Sequence, residues 1–444
     1  MHNVRRPQKT IKEMNYQEAI DFMFNSLPMY QRVGKAAYKA NLDNTLALDE
    51  YFGHPHKSFK TIHVAGTNGK GSVSHSLAAI LQSAGYRTGL YTSPHLVDYR
   101  ERIRINGEMI SKDYVCDFIN DNQEIIGKLK PSFFEMSVAL AFKYFADMKV
   151  DVAVIEVGMG GRLDSTNIIT PELSVITNIS FDHTQFLGNT LPLIAGEKAG
   201  IIKQNIPVVI GETHAETKDV FENKAKANNS PITFADQCVK VAKTATADNH
   251  KYAEYLINNT GTLKFDLFGE YQTKNLATIL EAAKQLKNRG FAISDKNISD
   301  ALLDVKGLTG LHGRWEILSD SPLTICDTGH NVDGLSYVTA QLKAIKCPRL
   351  HIVLGFVNDK DVEHVMPLFP NDAKYYFTNA DIPRAMPAEE VKAYGEKFGL
   401  DGETYENVPS AYESAKKNAS PDDTIFIGGS TFIVGDYFKH YGFQ

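Results

Sequence analysis

Apolar positions along the chain fall into two patterns: short unbroken runs, and residues recurring every three or four positions. These predict buried strands and amphipathic helices. Thr61-Ile62-His63-Val64 reads as a strand. Val73, Leu77, Ile80, Leu81 and Ala84 then share a helical face, with Gly85 placed to cap its end. Upstream, Tyr16 to Phe24 and Leu42 to Tyr51 predict helices around an irregular stretch from Met29 to Ala40. Thr88 to Tyr91 is a strand. Glu101 to Ile105 alternates, Asn106-Gly107 turns, and Glu108 to Ile110 continues, which predicts a hairpin. Helices follow at Asp113 to Leu129 and Phe133 to Asp147. Asp151 to Val157 is the continuous apolar run of a fully buried parallel strand. A glycine-rich loop spans Gly158 to Asn167, strands are expected at Leu173 to Ile179 and Pro207 to Ile210, and a helix at Leu191 to Lys203.

The pattern changes at residues 239–268, where Lys251 to Asn258 and Thr262 to Phe268 predict antiparallel strands joined by Asn259-Thr260-Gly261. Gln272 to Arg289 is a strong helix with Leu276, Ile279, Leu280, Ala283 and Leu286 on one face. Gly307-Leu308-Thr309-Gly310 breaks the pattern. Strands then recur at Leu323–Cys326, Leu350–Leu354, Tyr375–Thr378 and Thr424–Ile427, a second α/β unit of about 130 residues. The expectation is an α/β protein with mostly parallel sheet. It would have an N-terminal domain over residues 1–306, a linker at 307–313 and a smaller C-terminal domain at 314–444.

Composition acts mainly by exclusion. A net charge of −6 without long basic runs argues against nucleic-acid binding. Cys116, Cys238, Cys326 and Cys347 are scattered, indicating neither a disulfide framework nor a zinc site. No apolar run follows Arg5, Arg6 and Lys9, so no secretory leader is expected, and no stretch is long enough to cross a membrane. A cytoplasmic enzyme is the expectation.

Candidate chemistry starts at Gly66-Thr67-Asn68-Gly69-Lys70-Gly71-Ser72, between predicted strand and helix. Glycines let backbone N–H groups approach phosphate, Lys70 adds charge, and Ser72 can offer its hydroxyl to magnesium. The spacing departs from the common Walker pattern, and a surface turn is the plainer reading. Ser93, Glu156 and His183 fall at predicted strand ends, where ligands collect. Each also has an ordinary structural explanation. Lys198 shares a helix face with Ile194, Ile201 and Ile202. Burial there would favour the neutral amine, which carbon dioxide converts to a carbamate; snorkelling to water is the alternative. In the second unit, Arg314 can clamp phosphate and Asp327 can accept ribose hydroxyls, against a structural ion pair and helix cap. Asn275 can read an adenine edge or serve as a local cap.

Six blocks carry a resemblance: Gly66 to Ser72; Thr92-Ser93-Pro94-His95-Leu96 with Glu101-Arg102-Ile103; Glu156 to Asn167; Asp182-His183; Glu197 to Ile201; and Asp327 to Asn331. In this order they resemble the folylpolyglutamate synthase/dihydrofolate synthase family, a branch of the Mur ligase superfamily. The resemblance covers most of the chain. Thr328-Gly329 stands where relatives often have Gly-Ala, with Asp327 and His330 kept.

That resemblance implies a P-loop, Mur-ligase-like nucleotide domain followed by a Rossmann-like one. It implies ATP held by Asn68, Gly69, Lys70, Gly71, Ser72, Asn275, Arg314 and Asp327. Ser93, Glu156 and His183 would hold magnesium, with a carbamylated Lys198 at a second ion. A pterin would lie near Ser132, Phe133, Phe134, Glu135, Leu163, Asp164 and Ser165. Lys70, Lys198 and His330 would serve catalysis. The implied reaction is ATP-dependent addition of L-glutamate to dihydropteroate, to a reduced folate, or to both, by a monomer without nucleic-acid or membrane partners. A ligase acting on a muramyl peptide and a nucleotide-binding regulatory protein are the alternatives.

Overall fold

The computed structural model describes residues 13–27, 41–246, 251–358 and 360–443. The stretch from Met29 to Ala40 expected to be irregular lies outside them, as do Arg5, Arg6 and Lys9.

The largest sheet contains β1 (Lys60–Ala65), β2 (Thr88–Tyr91), β3 (Ile103–Ile105), β4 (Glu108–Met109), β5 (Val152–Glu156), β6 (Leu173–Ile176), β7 (Val208–Ile210) and β8 (Ile232–Phe234). Its order is β4-β3-β2-β5-β1-β6-β7-β8. All pairings from β2 to β8 are parallel, and the hairpin β3-β4 joins antiparallel at the edge. The central strands are buried on both faces, the reason their sequences are unbroken apolar runs. Register decides where the chemistry lies. Val64 pairs with Glu156, Ala65 with Ile176 and Tyr91 with Ile155, so four strands end level with one another. The segments leaving those ends emerge side by side.

A second sheet, in the order β11-β10-β9, comprises β9 (Val241–Thr246), β10 (Ala253–Ile257) and β11 (Gly261–Phe265). The third contains β12 (Glu316–Asp320), β13 (Leu323–Asp327), β14 (Leu350–Leu354), β15 (Lys374–Phe377), β16 (Gly402–Thr404) and β17 (Thr424–Gly428). It is ordered β12-β13-β17-β14-β15-β16, parallel except for β12. One apolar cluster runs from β1 and the phosphate-loop helix Lys70–Ser83, through helix Gln272–Asn288, to Trp315, Ile325 and Leu335. Burial of each such large apolar side chain contributes roughly 1.5–3 kcal/mol. Among the described residues, no helix is long and apolar enough to cross a membrane.

Several expectations are corrected. Glu101 and Arg102 belong to a 3-10 turn, Tyr99–Arg102, before the hairpin. The helix expected over Asp113 to Leu129 breaks at Asn122, whose amide donates to the Phe118 carbonyl at 2.7 Å and competes with the helical ladder. The helix from Leu191 ends at Lys198 and tightens into a 3-10 turn, Ala199–Ile201. There Gly200 lies so close to Arg162 that a Cβ would sit 2.4 Å from its Cα. Strand β8 is too short, and β9, β12 and β16 carry too little apolar alternation, to be read from sequence. The break expected at Gly307 is instead a short helix, Val305–Thr309, ended by Gly310 at φ +67°.

Candidate active site

The phosphate loop leaves β1 at Ala65. Gly66 adopts φ +147°, and a Cβ there would lie 1.9 Å from Thr177 Oγ1; Gly69 adopts φ +84°, with Asn275 Oδ1 2.3 Å from such a Cβ. Only glycine fits either position. The loop is fixed from β6's side. Thr67 N–H donates to the Asn178 carbonyl at 3.0 Å, Asn68 N–H to Asn178 Oδ1 at 2.8 Å, and Thr177 Oγ1 to the Asn68 carbonyl at 2.5 Å. Gly69 gives the following helix no side-chain cap, which leaves first-turn N–H groups suited to an anion. Lys70 Nζ folds onto the carbonyls of Gly66 and Thr67 at 3.2 and 3.1 Å. Ser72 is buried, and its hydroxyl accepts from Gln272 Nε2 at 3.1 Å. Asn275 is not a cap: buried beside Gly69, it donates to Gln272 Oε1 at 2.8 Å.

Around this loop gather the groups expected at metal and carbamate. Ser93 N–H points at Glu156 Oε2 at 3.4 Å. Burial pushes the Glu156 carboxyl up to about 7, against the pull of Lys70 and Arg314. Lys198 is 4% exposed and donates to the Gly66 carbonyl at 2.8 Å; burial and nearby Lys70 push it down to about 7. His183 stands at φ 50°, and burial holds its imidazole at about 4, with Asp182 opposing and Lys198 adding to the effect. A carboxylate short of positive charge, a neutral imidazole and a serine segment suit a hard divalent cation that keeps water and phosphate ligands. Among the described residues, no three His, Cys, Asp or Glu side chains form a closed metal cluster.

The C-terminal half approaches from the other side. Arg314 reaches over Gly71, where a Cβ would lie 3.2 Å from Nη2. It is held by the Gly313 carbonyl and Thr328 Oγ1. Asp327 accepts from Tyr271 Oη at 2.6 Å, Trp315 N–H at 2.8 Å and Gly329 N–H at 2.7 Å, so three protein donors already converge on its buried carboxylate. His330 Nε2 lies 3.3 Å from Asp182 Oδ2.

The expected pterin residues divide. Ser132 and Glu135 form a capping box for helix Phe133–Asp147, each bonding the other's backbone N–H, and Asn44 also donates to Glu135. Phe133 is in the core against Phe24, Tyr99 and the Arg102 guanidinium. Phe134 is half-buried, and its ring covers Gly158, where a Cβ would clash at 2.4 Å. It is the member of this group with an accessible aromatic surface. Leu163 is half-exposed, and Ser165 is buried. Asp164 caps the turn after it, accepting from Met159 N–H and from Thr166 N–H and Oγ1.

Sequence reasoning missed a cross-half cluster. Lys360 Nζ is 2.8 Å from Asp182 Oδ1. Burial opposes ionisation of Asp182, but the His330 hydrogen bond and the Lys360 charge hold its carboxyl well below the usual range. Asn331 and Asp333 likewise reach Asn68. Asp182 beside His183 offered a signal; Lys360, far away in sequence, offered none.

Residues 64–283 match the Mur ligase middle domain, and residues 313–431 the Mur ligase glutamate ligase domain. The chain is 32% identical to a dihydrofolate synthase/folylpolyglutamate synthase of Bacillus subtilis (strain 168), covering 91% of this chain and 96% of that protein. It is equally 32% identical to a probable bifunctional folylpolyglutamate synthase/dihydropteroate synthase of Haloferax volcanii, of whose length it spans only 50%. The fold is similar to E. coli FolC in complex with DHPP and ADP, with TM-score 0.83, 27% identity and 98% of each chain covered. It is also similar to a bifunctional folylpolyglutamate synthase/dihydrofolate synthase with Mn, AMPPNP and L-glutamate bound. There the TM-score is 0.81 at 26% identity, over 97% of this chain and 100% of the other.

Proposed function

We propose that this chain, which belongs to the folylpolyglutamate synthase/dihydrofolate synthase family of the Mur ligase superfamily, is an ATP-dependent ligase that joins L-glutamate to folates. Its substrates are dihydropteroate, for the first glutamate, and the γ-carboxylate of reduced folates, for later ones. The observation that carries this reading is Arg314 over Gly71, opposite a loop ringed by Lys70, Glu156 and Lys198. Two cationic side chains from different halves converge where a transferring phosphoryl group gains charge.

In the first step a carboxylate oxygen of the pterin acid attacks the γ-phosphorus of ATP, and ADP leaves. Lys70 and Arg314 neutralise the spreading charge. In the second the glutamate amine attacks the acyl carbon of the acyl phosphate, the bond from that carbon to the bridging oxygen breaks, and inorganic phosphate leaves with that former carboxylate oxygen and the proton the amine gives up. Asn275 stands at the adenine side of the loop and Phe134 offers a face to the pterin. His330 works at the phosphate or glutamate end. Ser93, Glu156 and His183 would hold one magnesium ion and a carbamate on Lys198 a second; bound there, the ions would screen phosphate oxygens. The carbamate forms by attack of neutral Nζ on carbon dioxide with loss of one proton.

Residues 1–306 and 314–444 act as two units about the 307–313 segment, closing before chemistry. A cytoplasmic monomer acting on small-molecule substrates is proposed. No observation favours a muramyl-peptide acid or a regulatory role. Oxygen-18 in the pterin carboxylate provides the test. One labelled oxygen is expected in the released phosphate, and unlabelled phosphate would overturn the acyl-phosphate route.

A further inference from the structure

Helix Val332–Ala344 opens immediately after His330-Asn331 and lays one face on the nucleotide half. Three residues four apart make the contact. Asp333 Oδ2 accepts from Asn68 Nδ2 at 2.8 Å and from Asn178 Nδ2 at 3.2 Å. Tyr337 lies under Lys274 Nζ at 5.0 Å, and Gln341 Oε1 accepts from Glu270 N–H at 2.9 Å. Spacing of four puts all three on one helical face. The three contacts along this seam are two sets of hydrogen bonds and one cation over a ring. The first residue of the seam is the one that matters for the loop. Asp333 places a carboxylate on Asn68, a side chain of the phosphate loop. Asn68 is also held through its backbone by Asn178 and Thr177, and through its side-chain amide by Asn331 at 2.9 and 3.2 Å and by Ser180 Oγ at 3.4 Å. Asn331, Tyr337 and Gln341, all uncharged, already make contacts between this segment and the nucleotide half. The added negative charge beside a loop built for anions needs another explanation.

We propose that Asp333 is a positioning residue that couples seam closure to nucleotide release: its carboxylate holds the Asn68 and Asn178 amides and, by charge, repels the phosphates on the same loop. Closure over nucleotide is thereby kept reversible, and departure of ADP is hastened. The inference rests on the loop binding adenine nucleotide, as argued above. Two unit charges about 8 Å apart change an affinity about twofold in bulk water and about thirtyfold at the effective dielectric constant of about 20 near a protein surface.

The test measures association and dissociation of a fluorescent ADP analogue with wild type, Asp333→Asn and Asp333→Ala, at low and high salt. Melting curves of the three proteins are recorded alongside. Asp333→Asn keeps an accepting oxygen and removes the charge. Slower ADP dissociation by about threefold or more, with a weaker salt dependence than wild type, is the expected result. Asp333→Ala is expected to shift in the same direction, because charge and not contact is what it shares with Asp333→Asn. A purely structural clasp predicts otherwise: Asp333→Asn indistinguishable from wild type and Asp333→Ala losing nucleotide faster. That outcome overturns this inference and leaves the ligase reading intact. Failure of the wild type to bind the analogue at all overturns both.

Discussion

Lys198 gives the sharpest energetic prediction, because its burial and its proposed chemistry pull in opposite directions. Its ammonium falls from 10.5 to about 7 on folding. At pH 7 that difference costs the folded state about 4 kcal/mol. Methionine has a similar length and no charge to desolvate. Lys198→Met forfeits the hydrogen bond to the Gly66 carbonyl, about 1 kcal/mol. The same carbonyl keeps its bond from Lys70 Nζ at 3.2 Å and is not orphaned. The variant should therefore be more stable than wild type by about 2–3 kcal/mol while losing ligase activity. The pH dependence has a fixed sign. The folded chain binds fewer protons at this site, so wild-type stability rises from about pH 7 towards 10.5, and the advantage of the variant shrinks across that window. Denaturant titrations in carbon-dioxide-depleted buffer near pH 7 and again at about pH 10 measure both values. A variant less stable than wild type at the lower pH, or a gap that does not narrow, would refute the reasoning.

Other outcomes follow from the same geometry. Arg314→Ala is expected to lower kcat by about a hundredfold or more, since one preorganised donor at a developing charge is worth about that much. Arg314→Lys should recover little, because a point charge cannot replace the guanidinium fork; steady-state kinetics with near-wild-type kcat would contradict this. The raised Glu156 carboxyl takes up a proton below about 7. Mn2+ affinity, measured by calorimetry, should then fall about tenfold per pH unit on that side, and a flat profile would tell against Glu156 as a ligand. Gly66→Ala puts a Cβ 1.9 Å from Thr177 Oγ1. Equilibrium dialysis should show ATP binding weakened by about tenfold or more, which corresponds to about 1.4 kcal/mol.

What the chain's residues disclosed by themselves depended on how local the signal was. β1, the phosphate-loop helix and β5 were legible because burial on both faces leaves unbroken apolar runs. Lys198 was legible because Ile194, Ile201 and Ile202 recur at helical spacing around it, and the structure does bury it although the helix ends at Lys198 itself. Strands β9, β12 and β16 were not, being short edge or half-exposed strands that can carry polar residues on both sides. The roles of Ser132, Glu135, Asp164 and Asp327 turned on backbone N–H groups that needed acceptors, and capping demand leaves only a weak sequence trace. Lys360 and Asp333 are the extreme case. Each meets its partner across at least 155 residues of chain, and nothing local distinguishes either from a surface charge.

The central claim is that both halves of the site serve one coupled ligation. It is tested most directly by incubating the purified protein with ATP, magnesium and labelled L-glutamate, alone and with dihydropteroate or a reduced folate, while counting ADP and amide product together. The account predicts one ADP per glutamate joined and negligible ADP when either acid or amine is withheld. ADP formed at the same rate without them, or no incorporation with them, would contradict it.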